Sequence, residues 1–141
     1  MRLLLDTHIW VWSLVEPSKL SRRVRAAVKR AENGLWLSPI SVWETLKLAE
    51  RGRVRLDSEP RAWVIEALSK TPVQEATLNF EVAVRSREIL PSHRDPADCF
   101  LVATALVYDL TLVTANEILL KAKACAVLRT GRENSLCGLC V

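Results

Sequence analysis

The chain opens with Arg2-Leu3-Leu4-Leu5-Asp6-Thr7-His8, in which a short apolar run meets an acid. An apolar run of this length between polar residues is typical of a buried strand. Residues 9–15 are again apolar and helix-like. Asp6 therefore stands at the predicted carboxyl end of the first strand, where open α/β sheets place their ligands. A second interpretation stays open, because Asp6 could simply cap the helix by accepting its unpaired N–H groups.

The composition is that of one globular domain with its own core. The chain has 141 residues, of which 50% are hydrophobic, and this length is ordinary for a single domain. No apolar run approaches the roughly 18–20 residues that a bilayer span needs, and the N-terminus lacks a signal-peptide pattern. We therefore expect a cytoplasmic protein without a membrane segment.

The net charge is +4, from 20 Lys and Arg against 16 Asp and Glu. Such an excess favours polyanionic partners such as nucleic acid, because Lys and Arg neutralise phosphates and release counterions. Arg22, Arg25 and Lys29 share one face of a predicted helix, which makes them candidate RNA contacts. An ordinary solvated helix face is the alternative interpretation.

Strand-like runs alternate along the chain with amphipathic segments. The pattern predicts strands at residues 3–5, 35–37, 111–114 and 126–128, and a weaker one at 72–76. Helices are predicted at residues 9–15, 21–32, 39–51, 60–68, 78–90 and 97–108, followed by a short one that ends near 124. This alternation predicts an α/β fold, a mostly parallel sheet covered by helices, within residues 1–128. The polar residues 129–141 predict a loose, flexible C-terminal tail.

Glu44 is an acid on an apolar line of a predicted helix. Ile40 and Leu48 lie one turn to either side of it, and a carboxylate in such a row is costly unless it is paired or binds a cation. Ser41 and Glu44 also have the spacing of a capping box, in which Glu44 would only close the helix start. A start at the Ser-Pro pair of residues 38–39 argues against that, since it places Glu44 in the second turn.

Other polar residues also stand at strand ends and helix starts. Asp95 and Asp98 begin a helix, where both could serve ordinary helix electrostatics, although Asp98 also heads the apolar line of that helix. Thr114 and Asn116 leave the end of a late strand, where Asn116 could be only a turn residue.

The acids at these ends are predicted to converge. Parallel strands and the helices after them bring their ends to one edge of the sheet, so a single pocket would hold Asp6, Glu44, Asp95 and Asp98. Clustered carboxylates repel one another and would partly protonate unless a divalent cation neutralised them. A ligand set made of oxygen suits Mg²⁺ or Mn²⁺ better than zinc.

Together these motifs resemble the PIN domain, and within it the VapC-like toxins of toxin–antitoxin pairs. The resemblance spans residues 2 to about 128 and rests on Asp6-Thr7-His8, on Glu44 after Ser38-Pro39, on His93-Arg94-Asp95-Pro96-Ala97-Asp98 and on Leu112-Val113-Thr114-Ala115-Asn116. It implies a three-layer Rossmann-like fold and a Mg²⁺- or Mn²⁺-dependent endoribonuclease that hydrolyses RNA phosphodiester bonds. It further implies a homodimer and a small antitoxin protein as partner.

The resemblance also implies roles for individual residues. The catalytic and metal-binding acids would be Asp6, Glu44 and Asp98. Asp95 is a neighbour of that site, and Thr114 matches a family hydroxyl near it.

Asn116 stands where the family usually has a fourth acid. Its carbonyl oxygen could still bind a hard cation but brings no charge, so a second metal ion is in question. The departure supports an alternative function, a catalytically weak or inactive PIN-like module that binds RNA or protein.

Two further interpretations have less support. A strand that ends in Asp also suits an aspartyl-phosphate phosphatase, but such enzymes generally have a second Asp two positions on, where this chain has His8. Cys137 and Cys140 have zinc or redox spacing, but they stand in the tail with neither a second pair nor a nearby His.

Overall fold

The structure, a computed structural model, describes residues 1–89 and 95–130. Within them lies a five-stranded sheet made of β1 (Arg2–Leu5), β2 (Gly34–Leu37), β3 (Val73–Glu75), β4 (Thr111–Thr114) and β5 (Val127–Arg129). Every neighbouring pair is parallel, and the strand order is β3-β2-β1-β4-β5. The prediction of a mostly parallel sheet is confirmed, and β1 stands at its centre.

Helices cover both faces of the sheet. They are α1 (Thr7–Val15), α2 (Arg22–Lys29), α3 (Pro39–Glu50), α4 (Pro60–Lys70), α5 (Phe80–Ile89), α6 (Pro96–Val107) and α7 (Glu117–Ala122). One core lies between the sheet and α1, α2 and α4, and a second lies between the sheet and α6 and α7. The three-layer prediction is confirmed. None of the helices in the described part of the chain is both long and apolar enough to cross a membrane.

The leucine run of β1 joins these two cores. Leu3 and Leu5 belong to the first core and Leu4 to the second, as expected when successive side chains of a strand point to opposite faces. All three are completely buried. A central parallel strand with helices on both faces has no solvent side, which is why this strand is apolar throughout.

Several boundaries differ from the sequence-based predictions. The first helix begins at Thr7 rather than at residue 9, because Asp6 caps it. The second ends at Lys29 rather than at residue 32, and Gly34 opens β2. A Cβ at Gly34 would lie 2.5 Å from the ring of Trp36, so the ring's close approach explains this glycine.

The last strand is shifted by one residue from its prediction, since β5 spans Val127–Arg129 rather than residues 126–128. Arg129 pairs with Thr114 in the sheet. Thr130 is 2% exposed, its N–H donates to the carbonyl of Thr114, and its hydroxyl accepts the N–H of Ser21. Strands pair through backbone N–H and C=O groups, so the polar side chains of residues 129 and 130 did not indicate this pairing. Cys137, Cys140 and the rest of the predicted flexible tail lie outside the described residues, as do His93 and Arg94.

Candidate active site

Asp6 occupies the carboxyl end of the central strand and also caps α1. Its N–H donates to the carbonyl of Val113 on β4 over 3.0 Å, which extends the sheet by one bond. Its Oδ1 accepts the N–H of Thr7 over 2.7 Å, and its Oδ2 accepts the hydroxyl of Thr114 over 2.7 Å. The two interpretations of Asp6 are therefore compatible, since one oxygen serves the helix and the other faces β4.

The carboxylate of Asp6 is 9% exposed. Burial raises the pKa of Asp6, and this effect outweighs the hydrogen bonds from Thr114 and Thr7 and the nearby His8, which lower it. Among the described residues, no Lys or Arg forms an ion pair with Asp6. A nearby cation would favour the ionised form of such a buried carboxyl group.

Glu44 is joined to Asp6 through Thr7. The hydroxyl of Thr7, itself buried, donates to Oε1 of Glu44 over 2.6 Å. Burial raises the pKa of Glu44, the charges of Asp6, Asp95 and Asp98 raise it further, and the Thr7 hydrogen bond opposes them. The carboxylates of Asp6, Asp95 and Asp98 therefore act electrostatically on Glu44.

Thr7 is a residue of the site that the sequence-based interpretation passed over. The sequence predicts Thr7 only as part of the motif after β1, although a Thr in the first turn of a helix can aim its hydroxyl away from that helix. Its partner, Glu44, lies 37 positions along the chain, so no local pattern connects the two.

The helix that carries Glu44 starts where the sequence predicted. The hydroxyl of Ser38 accepts the N–H of Ile40 over 3.1 Å, and Pro39 occupies the first turn. The alternative capping box is absent, because Oε1 of Glu44 binds Thr7 and the Ser41 hydroxyl has no partner in the described part of the chain.

The buried face of α3 differs from the prediction. Ser41 and Thr45 are completely buried, whereas Ile40, Glu44 and Leu48 are only half-buried. Glu44 thus lies at the margin of the buried face, where its carboxylate reaches Thr7. The predicted apolar line is therefore not the most buried face of α3, which Ser41 and Thr45 form, although Ile40 packs against the second core.

Asp95 and Asp98 differ in role, since Asp95 caps a helix and Asp98 is a buried acid of the candidate site. Asp95 is exposed and caps α6, since its Oδ1 accepts the N–H of Ala97 over 3.0 Å. Asp98, one turn later, is 9% exposed. Its Oδ2 accepts the side-chain amide of Asn116 over 3.3 Å.

Asn116 presents its amide nitrogen, not its carbonyl, to the acids. Its Oδ1 accepts the N–H of Ile118 over 3.0 Å and so caps α7. Its backbone N–H donates to the hydroxyl of Thr114, which in turn donates to Asp6. The sequence predicted that the side-chain carbonyl of Asn116 could bind a cation. In the structure this oxygen instead accepts the N–H of Ile118.

These bonds bring the predicted acids together in pairs. Asp6 and Glu44 share Thr7, while Asp6 and Asp98 are joined through Thr114 and Asn116. Across residues 1–89 and 95–130, no three acidic, His or Cys side chains form a group that could hold a metal ion. The donor chemistry nevertheless fits a hard divalent cation, because the side chains facing the buried Asp6 offer oxygen.

The basic residues of α2 divide between the two edges of the sheet. Arg25 and Lys29 line a cleft of about 370 Å³. Asn33 and Pro72 border it and directly precede β2 and β3, so the cleft lies at the amino edge, opposite the acids. Arg22 begins α2 beside the carboxyl end of β5 and is the one of the three on the side of the acids.

Comparison with known proteins agrees with this architecture. The model of the PIN domain family matches residues 3–124. Ribonuclease VapC22 of Mycobacterium tuberculosis is 32% identical over 120 residues, which cover 81% of this chain and 86% of that protein.

Solved structures share the fold at lower identity. VapBC2 from Rickettsia felis, bound to a DNA fragment from its promoter, superposes with a TM-score of 0.69 at 16% identity, covering 93% of this chain and 100% of that one. A toxin–antitoxin complex from Klebsiella pneumoniae gives a TM-score of 0.59 at 20% identity, covering 89% and 95%.

Proposed function

The chain belongs to the PIN domain family, and from this we propose that it is a metal-dependent endoribonuclease, the toxin of a toxin–antitoxin pair. The observation that carries the proposal is the buried carboxylate of Asp6, which the described residues leave without an ion-pair partner and join to Glu44 and Asp98. Its resemblance to a VapC ribonuclease supports RNA as the substrate. A nuclease acting on cellular RNA would work in the cytoplasm.

The proposed catalytic residues are the three acids Asp6, Glu44 and Asp98, which would hold Mg²⁺ or Mn²⁺. When bound, such an ion supplies Lewis-acid stabilisation of the charge that develops on phosphate oxygens. Asp95 would add negative charge beside these acids, and its raising of the pKa of Glu44 supports this role.

Two hydroxyl groups orient the proposed ligands. Thr7 holds Oε1 of Glu44, and Thr114 holds Oδ2 of Asp6. Fixing carboxylates through such outer partners limits their rotation and maintains the ligand geometry. Both threonines are buried, so water does not compete strongly for these bonds.

The proposed RNA contacts follow the division of the basic residues. Arg22, on the side of the acids, could bind a phosphate near the cleaved bond. Arg25 and Lys29 would reach only RNA that extends to the amino edge of the sheet. Such contacts position the backbone without reading its sequence.

A small antitoxin and a second copy of the chain are the proposed protein partners. The toxin–antitoxin complex among the structural neighbours supports the first. Phe80, which is 93% exposed, and Val84 lie one turn apart on α5 as uncovered apolar side chains, which supports a protein contact there.

Cleavage of RNA by the purified protein tests the function. We expect Mn²⁺ to support cleavage of single-stranded or structured RNA, EDTA to stop it, and Asp6→Asn to slow it by more than about 100-fold, the upper range for losing an outer partner of a metal ligand. Asp109→Asn is a matched control, because Asp109 is exposed, precedes β4 at the opposite edge, and has a positive φ that Asn tolerates. Equal rates for Asp6→Asn and the parent would refute the assignment.

A binding module without cleavage is the second candidate. The observation that favours it is the neutral Asn116 amide beside Asp98. RNA binding that is unchanged by Asp6→Asn, with no cleavage at any Mn²⁺ concentration, would support this candidate instead.

A further inference from the structure

Three hydrogen bonds hold Asn116, and the two that its side chain makes leave that side chain a single orientation. A backbone N–H bonds only to an acceptor, so the atom facing Ile118 is the oxygen. The amide nitrogen must then face the other way, toward Oδ2 of Asp98. The cap of α7 therefore determines that a donor points at the acids.

We propose that Asn116 limits the site to a single divalent ion by holding Asp98 with a hydrogen-bond donor. The inference rests on the proposed function, in that an ion binds the acids at all. It goes further by assigning a number of ions and naming the residue that decides it.

The physical reason is the sign of the charge that each group presents. A cation needs oxygen lone pairs and is repelled by the positive end of an N–H bond. Oδ2 of Asp98 already accepts the Asn116 amide, so a cation between these two residues would face a donor on one side and an engaged oxygen on the other. The Asn116 side-chain amide has no hydrogen bond to Asp6 or Glu44, which accept the hydroxyl groups of Thr114 and Thr7.

Asn116 also acts as a positioning residue for the remaining ligands. Its amide holds Asp98, and its backbone N–H holds Thr114, whose hydroxyl binds Asp6. One residue thus orients two acids that lie on β1 and α6. An outer partner of this kind typically changes metal affinity by about 10–100-fold.

The test counts Mn²⁺ ions bound per chain, by calorimetry and by native mass spectrometry. Mn²⁺ is the probe because the cysteine thiols of this chain favour softer metals. We expect the parent to bind one ion and Asn116→Asp to bind two, since Asp caps a helix as well as Asn does and exchanges the donor for an acceptor. Asn116→Ser keeps a capping oxygen without the amide or a charge, and should bind one ion about 10-fold more weakly.

Asn79→Asp is the matched control. Asn79 is exposed and likewise accepts a helix N–H, from Val82 over 2.9 Å, so the same chemical change at the start of α5 should leave the count at one. Asp6→Asn should abolish binding, which places the counted ion in the site. In metal-free protein Asn116→Asp should also lower the melting temperature, because two carboxylates then face each other, and Mn²⁺ should restore it.

The possible outcomes distinguish failure of the one-ion proposal from failure of the proposed metal-dependent function. Two ions in the parent, or one in Asn116→Asp, would overturn the inference while the proposed nuclease stands. No Mn²⁺ binding to the parent would overturn the metal-dependent function and the inference with it.

Discussion

Asp6 is a buried carboxyl group whose ionised form the described residues stabilise only in part. Two hydrogen bonds reach its oxygens, yet burial still raises the pKa of Asp6 above its ordinary value. A residue held in this way costs stability in the metal-free protein. The cost is consistent with a site whose charge is completed by a ligand.

We expect Asp6→Asn to stabilise the metal-free protein at pH 7. A raised pKa means that the folded state holds the proton more tightly than the unfolded state does. Its free energy of unfolding therefore falls as the pH rises from the ordinary value of 3.8 through the raised folded pKa. Asn has no such cost, so Asp6→Asn should have a higher Tm than the parent at pH 7.

Thermal melts in EDTA between pH 3 and pH 8 (a range chosen to span roughly both pKa values) measure this difference. It should shrink toward zero as the pH falls below the ordinary value of 3.8, where Asp6 becomes protonated in both states. Asp109→Asn, at an exposed site, should melt like the parent at every pH. A lower Tm for Asp6→Asn at pH 7 would show that the hydrogen bonds to Asp6 outweigh its burial.

At the scale of the element, helix starts build the site. Four helices begin beside the acids, and each is capped by a side chain of its own, from Asp6, Ser38, Asp95 and Asn116. Capping requires short polar side chains, and the partial positive charge at a helix start favours nearby carboxylates. Local helix chemistry and the proposed metal chemistry therefore select the same residue types at the same places.

The cap of α3 is expected to matter because this helix carries Glu44. Ser38 is completely buried, so Ser38→Ala leaves the N–H of Ile40 without its acceptor. We expect a loss of about 1 kcal/mol in the free energy of unfolding, measured by urea denaturation. Ser69→Ala is the control, since Ser69 is exposed and only donates within α4; an equal loss there would show that the cap contributes nothing special.

At the scale of the whole molecule, the strand order brings the acids to one place. β1 lies between β2 and β4, so the turns that leave β1, β2 and β4 meet at the same edge of the sheet. Thr130 lies at the end of the edge strand β5, and its hydrogen bonds join that strand to β4 and to the start of α2.

Thr130→Val tests the hydrogen bond that joins the end of β5 to the start of α2. Valine preserves the shape but removes the acceptor of the Ser21 N–H, and a buried unpaired donor costs about 1–3 kcal/mol. We expect the low end, about 1 kcal/mol, because Ser21 is only half-buried. Thr130→Ser keeps the hydroxyl and should unfold at nearly the parent's urea concentration; equal destabilisation of both variants would mean that the methyl group, and not the hydrogen bond, is what matters.

The local sequence determined the elements and the identity of the polar residues at their ends. The leucine run indicated a buried strand. The Ser-Pro and Asp-Pro pairs marked the starts of α3 and α6, because a cap and a proline act on the backbone within one helical turn. Gly52, with φ of 68°, follows the end of α3, where a positive φ favours glycine.

Only the tertiary structure decided how these ends meet. The bond from Thr7 to Glu44 and the path from Asp6 through Thr114 and Asn116 to Asp98 join residues far apart in the chain. Side-chain orientation at such places depends on which strands are neighbours and on which cap each oxygen serves. The physical reason is that a hydrogen-bonding pattern has several local solutions, and packing against distant elements selects one of them.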